Sequence, residues 1–266
     1  MLLLLHCLLI GRTPYTEWRR CRNATMTGYG WGLVAYRAVQ RVDARRTPGD
    51  IVEAGVWLGG LSCYMARAHM ASDSHAPTRL QWLFDTFDGM PAPGDGDDNA
   101  TLAMWDEIEQ RKRGRQAQLP VLNVDAQNKW AYGALEIVQG TMARSGAPTD
   151  SLHFVKGKVE ETLSSGREAL PRQIAILRLD TDFYASTTME LEVLWPRISP
   201  GGWLYVDDYF AFGGARKAVD DWLERNRWTN EARRVGAFNH SLPGGYGTRF
   251  NLWKADPYSS TRPFAT

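Results

Sequence analysis

Short apolar runs, each the length of one strand, alternate along this chain with stretches that have the apolar spacing of helices. Near-continuous apolar strands that alternate with helices predict a parallel sheet covered by helices on both faces. The strand candidates are residues 50–54, 80–85, 152–155, 174–179 and 203–206, and the helix candidates are 61–70, 160–169, 187–195 and 215–226.

The end of the chain breaks this alternation. Residues 233–238 and 248–253 have the pattern of two further strands, joined by a loop that contains Pro243-Gly244-Gly245. Strand–helix steps followed by a terminal hairpin form the order of the class I methyltransferase fold, whereas a dinucleotide dehydrogenase has two equal halves. We therefore expect an α/β, Rossmann-like fold with a mostly parallel, seven-stranded sheet and helices on both faces.

The domain organisation follows from the length and from local composition. A chain of 266 residues fits one α/β domain or at most two. We expect one main domain over residues 46–256, an N-terminal helical or lid segment over 1–45 and a C-terminal tail over 257–266.

A lid insertion is expected within the main domain. Residues 90–99 are loop-like and residues 110–118 are strongly charged. Long insertions in compact domains are often binding loops, so residues 90–150 are interpreted as a lid. Trp105 and Trp130 fall in this lid, where an aromatic face could stack on a sugar or an aglycone.

The first ten residues are almost entirely apolar. They lack the basic residues that begin a signal peptide, and they fall well short of the roughly 20 residues that span a bilayer. We expect a packed N-terminal helix at a subunit contact, and therefore a homo-oligomer.

The charge and the cysteine content limit which binding partners and which cellular compartment we expect. The formal net charge is +1, which gives no general electrostatic drive towards nucleic acid or an anionic membrane, and we expect neither as a partner. Cys7, Cys21 and Cys63 cannot all pair and form no CxxC motif. We therefore expect neither a disulfide framework nor a zinc knuckle. The cysteine usage fits a protein of the reducing cytoplasm.

The segment after the first strand has the features of a nucleotide-binding turn. Gly55 allows a tight turn with close backbone approach, and a glycine pair opens the next helix. Trp57 occupies the middle position of the G-x-G-x-x-G pattern, which leaves less room for a pyrophosphate. Glu53 would repel a phosphate but could pair with an ammonium group, which S-adenosylmethionine carries. A purely structural strand–helix turn is the alternative.

A carboxylate also ends the second strand candidate. Asp85 occupies the position from which such a group can accept both hydroxyls of a ribose. A turn residue without a ligand is an equally good interpretation of Asp85, and Asp88 is a weaker candidate for the same contact.

The strongest chemical signal is a set of aspartates after two later strand candidates. Asp180 and Asp182 follow one strand, and Asp207 and Asp208 follow the next. Ligands of open α/β sheets bind at the carboxyl ends of the strands, where these side chains would converge if the two strands are neighbours. Helix capping and solvated turns are the alternative, because aspartate is common at both.

Close carboxylates repel one another unless a cation lies among them. Oxygen ligands suit a hard cation such as Mg²⁺, which could hold a substrate hydroxyl and lower its pKa. A carboxylate beside the ion could then take the proton. The sequence therefore predicts a magnesium-assisted site with an acidic general base.

Taken together, these motifs resemble the macrocin O-methyltransferase family, whose members methylate sugars of antibiotics. The segments that carry the resemblance are Thr25-Met26-Thr27-Gly28, Pro48-Gly49-Asp50-Ile51-Val52-Glu53-Ala54-Gly55-Val56-Trp57, Phe84-Asp85-Thr86-Phe87-Asp88-Gly89-Met90-Pro91, the stretch from Leu177 to Thr187, and the stretch from Pro200 to Tyr209. They run through most of the chain, and the paired aspartate motifs are its most specific part.

The resemblance implies S-adenosylmethionine and Mg²⁺ as cofactors. It places Asp180, Asp207 and Asp208 on the metal ligands of the family and Asp180 on the proposed general base, with Asp182 as the second candidate base. The implied cofactor-binding residues are Thr27, Glu53, Gly55, Trp57 and Asp85.

The implied reaction is S-adenosylmethionine-dependent, Mg²⁺-assisted O-methylation of a sugar hydroxyl, on a glycosylated natural product or a nucleotide sugar. A catechol-like phenol is an alternative acceptor, since it also has chelating oxygens. An NAD-dependent oxidoreductase is the alternative enzyme, although Trp57 and the lack of a plausible Tyr-x-x-x-Lys pair disfavour it. A non-catalytic carbohydrate-binding protein on the same fold is the alternative from another class.

Overall fold

The computed structural model describes residues 13–72, 76, 78–112, 129–164, 169–234, 238–239, 249–254 and 264–265. The apolar run 1–10 and most of the tail 257–266 lie outside these residues, so the N-terminal subunit contact stays a prediction.

One sheet forms the centre of the described chain. Its strands follow the order β3-β2-β1-β4-β5-β7-β6, and a short β8 pairs with β7. The pairs among β1 to β5 are parallel, whereas β7 runs antiparallel to β5, β6 and β8. The strands are β1 Asp50–Ala54, β2 Gln81–Asp85, β3 Leu152–Lys156, β4 Ile174–Leu179, β5 Ile198–Val206, β6 Phe238–Asn239, β7 Arg249–Lys254 and β8 Phe264–Ala265. The mostly parallel α/β sheet is therefore confirmed, with β8 as an addition to the seven expected strands.

Helices connect the parallel strands and cover the sheet. They are α1 Pro14–Cys21, α2 Tyr29–Ala44, α3 Gly60–Met70, α4 Asn99–Lys112, α5 Leu135–Ala143, α6 Val159–Thr162, α7 Tyr184–Leu194, α8 Gly213–Arg225 and α9 Thr229–Arg234. None of these helices combines the length and the apolar character that crossing a membrane requires, as far as the described residues show.

Two apolar layers lie on opposite faces of the sheet. Tyr36 of α2 packs in one layer with Ile51 of β1. Leu191 of α7 and Trp222 of α8 pack in the other layer with Val52 of β1. Successive residues of β1 therefore enter opposite layers, which is why a strand buried on both faces is apolar almost throughout.

Two predicted elements differ from the structure. Residues 229–234 form helix α9 where a strand was expected from 233, and the described part of the following strand is Phe238–Asn239. In α9 the amide of Ala232 donates to the carbonyl of Trp228 at 2.8 Å, and Ala232 is fully buried. Alanine has the highest helix propensity of all residues, which fits a helical turn here in place of the expected strand.

The helix expected over residues 160–169 ends at Thr162 in the structure. The hydroxyl of Ser164 donates to the carbonyl oxygen of Glu160 at 2.5 Å. Serine side chains that bond nearby carbonyls in this way compete with regular helical bonds, which fits the early end of α6.

Backbone hydrogen bonds continue past the carboxyl ends of the central strands. The amide of Gly55 donates to the carbonyl of Phe84 at 2.8 Å, and the amide of Asp180 donates to the carbonyl of Ala54 at 2.8 Å. The amide of Asp207 donates to the carbonyl of Leu179 at 2.9 Å. The first residues after β1, β4 and β5 are therefore held side by side at one edge of the sheet.

Candidate functional site

A cavity of about 310 Å³ opens at this carboxyl edge. Its walls come from the glycine loop after β1, the ends of β2, β4 and β5, the linker between α1 and α2, and four residues of the predicted lid, which are Met90, Pro91, Trp130 and Ala131. The cavity brings together every residue of the predicted site: Thr27, Glu53, Gly55, Trp57, Asp85, Asp180, Asp182, Asp207 and Asp208.

The glycine loop turns tightly because Gly55 adopts a φ of 78°. A Cβ atom at Gly55 would lie 2.1 Å from the carbonyl oxygen of Asp180. Both the left-handed backbone and the close contact with the loop after β4 therefore require glycine. Trp57 and Gly59 also have positive φ values, of 48° and 78°, so the chain turns at three positions before α3 begins.

Replacing Gly55 with alanine is expected to destabilise the protein by about 1–3 kcal/mol, because the side chain is strained at positive φ and overlaps backbone. Thermal denaturation measures the effect. Gly140→Ala is the matched control, because Gly140 lies in α5 with no atom within 4 Å of an added Cβ. There we expect no loss of stability, since alanine is the better helix former. Equal melting temperatures for wild type and Gly55→Ala would contradict the close packing at this loop.

Asp85 holds the glycine loop in place. Its Oδ2 accepts hydrogen bonds from the amides of Val56 at 2.8 Å and Trp57 at 3.2 Å. Its Oδ1 accepts from the amide of Phe87 at 2.8 Å. Burial raises the pKa of Asp85, and these backbone bonds oppose that rise. Asp85 thus orders two loops and also lines the cavity, and its contact with a ribose stays a prediction.

Arg178 lies at the centre of the acidic groups. Its side chain is 2% exposed, and its Nη1 donates to Glu53 Oε1 at 2.5 Å and pairs with Asp180 Oδ2 at 2.8 Å. Its Nη2 pairs with Asp207 Oδ2 and donates to Thr27 Oγ1 at 3.3 Å. One guanidinium therefore joins residues from β1, the ends of β4 and β5, and the linker before α2.

Sequence reasoning missed Arg178, although a signal was available. Arg178 is the one charged residue within the apolar run of β4, and a cation in a fully buried strand needs carboxylate partners. The acidic groups Glu53, Asp180 and Asp207 are those partners.

Three carboxylates form a cluster that could hold a metal ion. One oxygen from each of Asp180, Asp207 and Asp208 lies within 4.8 Å of the others. Burial raises the pKa values of Asp180 and Asp208 well above the usual range, and the neighbouring carboxylates raise them further. A hard divalent cation would relieve this repulsion, and an all-oxygen donor set is the kind that Mg²⁺ or Ca²⁺ takes.

Asp182 lies beside this cluster in a strained conformation. Its φ is 67°, and burial raises its pKa to about 7, an effect that a hydrogen bond with Asp208 opposes. Neither α7 nor α8 has a side-chain cap at its N-cap residue, Phe183 or Phe212. The helix-capping interpretation of the aspartates therefore finds no support at those two positions.

An aromatic wall closes the other side of the cavity. It consists of Trp105, Trp130, Phe183 and Phe212, and neighbouring ring centroids are 6.1–6.4 Å apart. Of these residues, Trp130 and Phe212 line the cavity itself. The amide of Phe212 donates to the carbonyl of Asp208 at 3.0 Å, so the wall begins one turn of chain after the acidic cluster.

The predicted lid, residues 90–150, contacts the same end of the sheet through its described residues. Asp97 accepts a hydrogen bond from the amide of Tyr184 at 2.9 Å, at the start of α7. The amide of Met90 donates to the carbonyl of Trp130 at 2.9 Å. The first bond ties this segment to the start of α7, and the second joins Met90 to Trp130, one of the two aromatic residues that line the cavity.

A sequence model of the macrocin-O-methyltransferase family matches residues 16–239. The match includes every strand end that builds the cavity. The chain belongs to the macrocin O-methyltransferase family. The resemblance seen in the aspartate motifs is thereby confirmed for most of the chain.

Two named relatives illustrate the family. The 8-demethyl-8-(2,3-dimethoxy-alpha-L-rhamnosyl)-tetracenomycin-C 4'-O-methyltransferase of Streptomyces olivaceus is 37% identical over 187 residues, which is 70% of this chain and 62% of the relative. The mycinamicin III 3''-O-methyltransferase of Micromonospora griseorubida is 30% identical over 184 residues, which is 69% of this chain and 64% of the relative. The matched stretch thus spans less than two thirds of each relative.

The fold is similar to that of a solved O-methyltransferase. The structure of the O-methyltransferase NovP matches with a TM-score of 0.65 at 24% identity, over 88% of this chain and 83% of that chain. This likeness confirms the methyltransferase fold.

Proposed function

We propose that this protein transfers a methyl group from S-adenosylmethionine to a sugar hydroxyl with the assistance of Mg²⁺. The observation that carries the proposal is the convergence of Asp180, Asp207 and Asp208 in one cavity with the glycine loop and Glu53. The curated relatives support the reaction class, because all three are named as O-methyltransferases and the name of one of them includes a rhamnosyl group.

One end of the cavity suits a positively charged ligand that carries no phosphate group. This donor end consists of the predicted cofactor-binding residues Thr27, Glu53, Gly55, Trp57 and Asp85. Glu53 is 1% exposed, and its carboxylate could pair with the ammonium group of the donor. Gly55 lets the backbone approach the ligand, and Asp85 lies where it could accept hydrogen bonds from ribose hydroxyls. Trp57 in the glycine loop argues against a pyrophosphate, and hence against NAD.

Asp180, Asp207 and Asp208 would hold the metal ion at the acceptor end. The ion would supply a Lewis acid that lowers the pKa of the acceptor hydroxyl. In the transfer, the bond between carbon and sulfur breaks as the bond between carbon and the acceptor oxygen forms. The hydroxyl proton passes to Asp180, with Asp182 as the second candidate.

Electrostatics favour a glycoside over a nucleotide sugar as the acceptor. Among the described residues of the cavity wall, the cationic ones are Arg178 and the exposed Lys158, and Arg178 is already shared among carboxylates. The carboxylates of the wall outnumber these two cationic residues. The carboxylates are Glu53, Asp85, Glu160, Asp180, Asp182, Asp207 and Asp208. A pyrophosphate group would be repelled by this surface.

The start of α3 offers no alternative phosphate site. A Cβ at Gly60 would lie 2.4 Å from the carbonyl carbon of Ala24, so the turn Arg22–Ala24 covers this helix end. By contrast, the rings of Trp130 and Phe212 offer an apolar surface to an aglycone. We therefore infer that the acceptor is a glycoside with an uncharged, flat aglycone.

Methyl transfer to matched acceptors tests this function. The acceptors are 2-naphthyl α-L-rhamnoside, methyl α-L-rhamnoside and TDP-L-rhamnose, which share one sugar. We expect kcat/KM to be about 3- to 10-fold higher for the naphthyl than for the methyl glycoside, because aromatic contacts contribute about 0.5–1.5 kcal/mol. TDP-L-rhamnose is expected to be the poorest acceptor. A preference for it would contradict the glycoside assignment.

Chelation tests the role of the ion in the same assay. EDTA is expected to lower the rate by at least about 100-fold, since Lewis-acid stabilisation is worth several kcal/mol, and excess Mg²⁺ should restore it. Titration with S-adenosylhomocysteine and with NAD provides the control. Full activity in EDTA would exclude metal assistance, and tighter binding of NAD would favour the oxidoreductase alternative.

A further inference from the structure

Arg178 connects the two ends of the cavity through a single guanidinium. Its Nη1 is shared between Glu53 Oε1 at 2.5 Å and Asp180 Oδ2 at 2.8 Å. Glu53 belongs to the donor end, and Asp180 belongs to the acidic cluster at the acceptor end. The same nitrogen therefore serves a carboxylate from each end.

The second guanidinium nitrogen of Arg178 also contacts one residue from each end of the cavity. Nη2 pairs with Asp207 Oδ2 and also donates to Thr27 Oγ1 at 3.3 Å. The other oxygen of Asp207 accepts a hydrogen bond from the hydroxyl of Tyr205 at 3.3 Å. Arg178 thus contacts two of the three residues of the acidic cluster and two residues of the donor end.

Burial makes these shared contacts strong. The side chains of Arg178 and Glu53 are 2% and 1% exposed, and that of Asp207 is 7% exposed. Solvent screens charges weakly at such positions, so a change of charge on one partner alters the attraction of Arg178 for the others. If the charge of Glu53 is neutralised, Nη1 is drawn more strongly to Asp180 and competes with a cation for that carboxylate.

We propose that Arg178 is a positioning residue that couples the donor end of the cavity to its metal end, so that neutralising Glu53 weakens metal binding. The proposal rests on the proposed function, because it takes a donor ammonium beside Glu53 and a divalent ion at the acidic cluster. It predicts that donor and metal each lower the affinity of the other, by equal factors, as linkage requires.

Isothermal titration with MgCl₂ alone tests the coupling through Arg178. Glu53→Gln is expected to raise the Kd for Mg²⁺ at least 5-fold, although Glu53 is outside the acidic cluster. Glu160→Gln is the matched control, because Glu160 also lines the cavity but has no ion pair with Arg178 among the described residues. For this control we expect a change below 2-fold.

A double-mutant cycle separates the route through Arg178 from direct attraction between Glu53 and the ion. In an Arg178→Gln background, Glu53→Gln is expected to change the Kd for Mg²⁺ by less than 2-fold. The same 5-fold effect in both backgrounds would overturn the proposal, since the coupling would then bypass Arg178.

A second measurement needs no substitution at Arg178, which guards against a variant that does not fold. Wild-type protein saturated with S-adenosylhomocysteine, which carries the same ammonium group, is expected to bind Mg²⁺ at least 3-fold more weakly than the protein alone. Glu53→Gln should reduce this factor. Independent binding of both ligands would overturn the coupling but leave the proposed function intact, whereas failure of wild type to bind either ligand would overturn both.

Discussion

The Asp180→Asn variant is expected to lose about 10²- to 10⁴-fold in kcat, the usual contribution of a general base, while it still binds S-adenosylmethionine, with an affinity lowered only by the stronger attraction of Arg178 to Glu53. Asn keeps an oxygen that can accept the hydrogen bond from Arg178 Nη1, which reaches Asp180 Oδ2 at 2.8 Å, so the fold should be preserved. The amide cannot take the acceptor proton, and it is a poorer ligand for a cation. Steady-state kinetics on 2-naphthyl α-L-rhamnoside and cofactor titration measure the two effects separately.

The control for Asp180→Asn is Asp150→Asn, which removes an exposed carboxylate that is not among the described residues lining the cavity. This variant is expected to match wild type in both measurements. Asp182→Asn assigns the base: if Asp180→Asn retains near-normal kcat at saturating Mg²⁺ while Asp182→Asn does not, Asp182 is the proton acceptor.

The Asp208→Asn variant is expected to weaken Mg²⁺ binding by at least about 10-fold. Substituting a residue that only hydrogen-bonds to a metal ligand already lowers metal affinity by this factor, and Asp208 is a predicted ligand itself. Asp208 has no ion pair with Arg178 among the described residues, in contrast to Asp180 and Asp207. Its substitution therefore removes an oxygen donor and leaves the ion pairs of Arg178 in place. Titration with MgCl₂ measures the loss, and the rate should recover in part at high Mg²⁺.

Asp106→Asn provides the matched control for this variant, because Asp106 is an exposed carboxylate on α4. It is expected to leave Mg²⁺ affinity within 2-fold of wild type. Unchanged affinity in Asp208→Asn would remove Asp208 from the metal ligands and leave the cluster without its third oxygen.

The inner parallel strands β1, β2 and β4 could be predicted because they are buried on both faces and are therefore largely apolar. The start of β5 could not, since Ser199-Pro200-Gly201-Gly202 has the composition of a turn. The structure places these residues within Ile198–Val206, where the register with β4 shifts. Proline and glycine are tolerated at such irregularities, so local composition alone misplaces the strand boundary.

The candidate site could likewise be predicted only in part. The aspartates after β4 and β5 could be predicted to converge, because the carboxyl ends of adjacent parallel strands meet at one edge. The ion pairs of Arg178 could not, since they depend on which residues of β1, β4 and β5 share a register. The same holds for Asp85, whose bonds to the glycine loop require the observed pairing of β1 and β2.

The row of backbone bonds that links Gly55, Asp180 and Asp207 has a consequence for how such enzymes can diversify. Side chains anchored in this row cannot move independently, so changes there would disturb the chemistry as a whole. Trp105 and Trp130 come from the lid, whose backbone lies outside the row. We therefore expect exchange of the predicted lid to change which acceptor is accepted, and substitutions in the row to disturb the whole site.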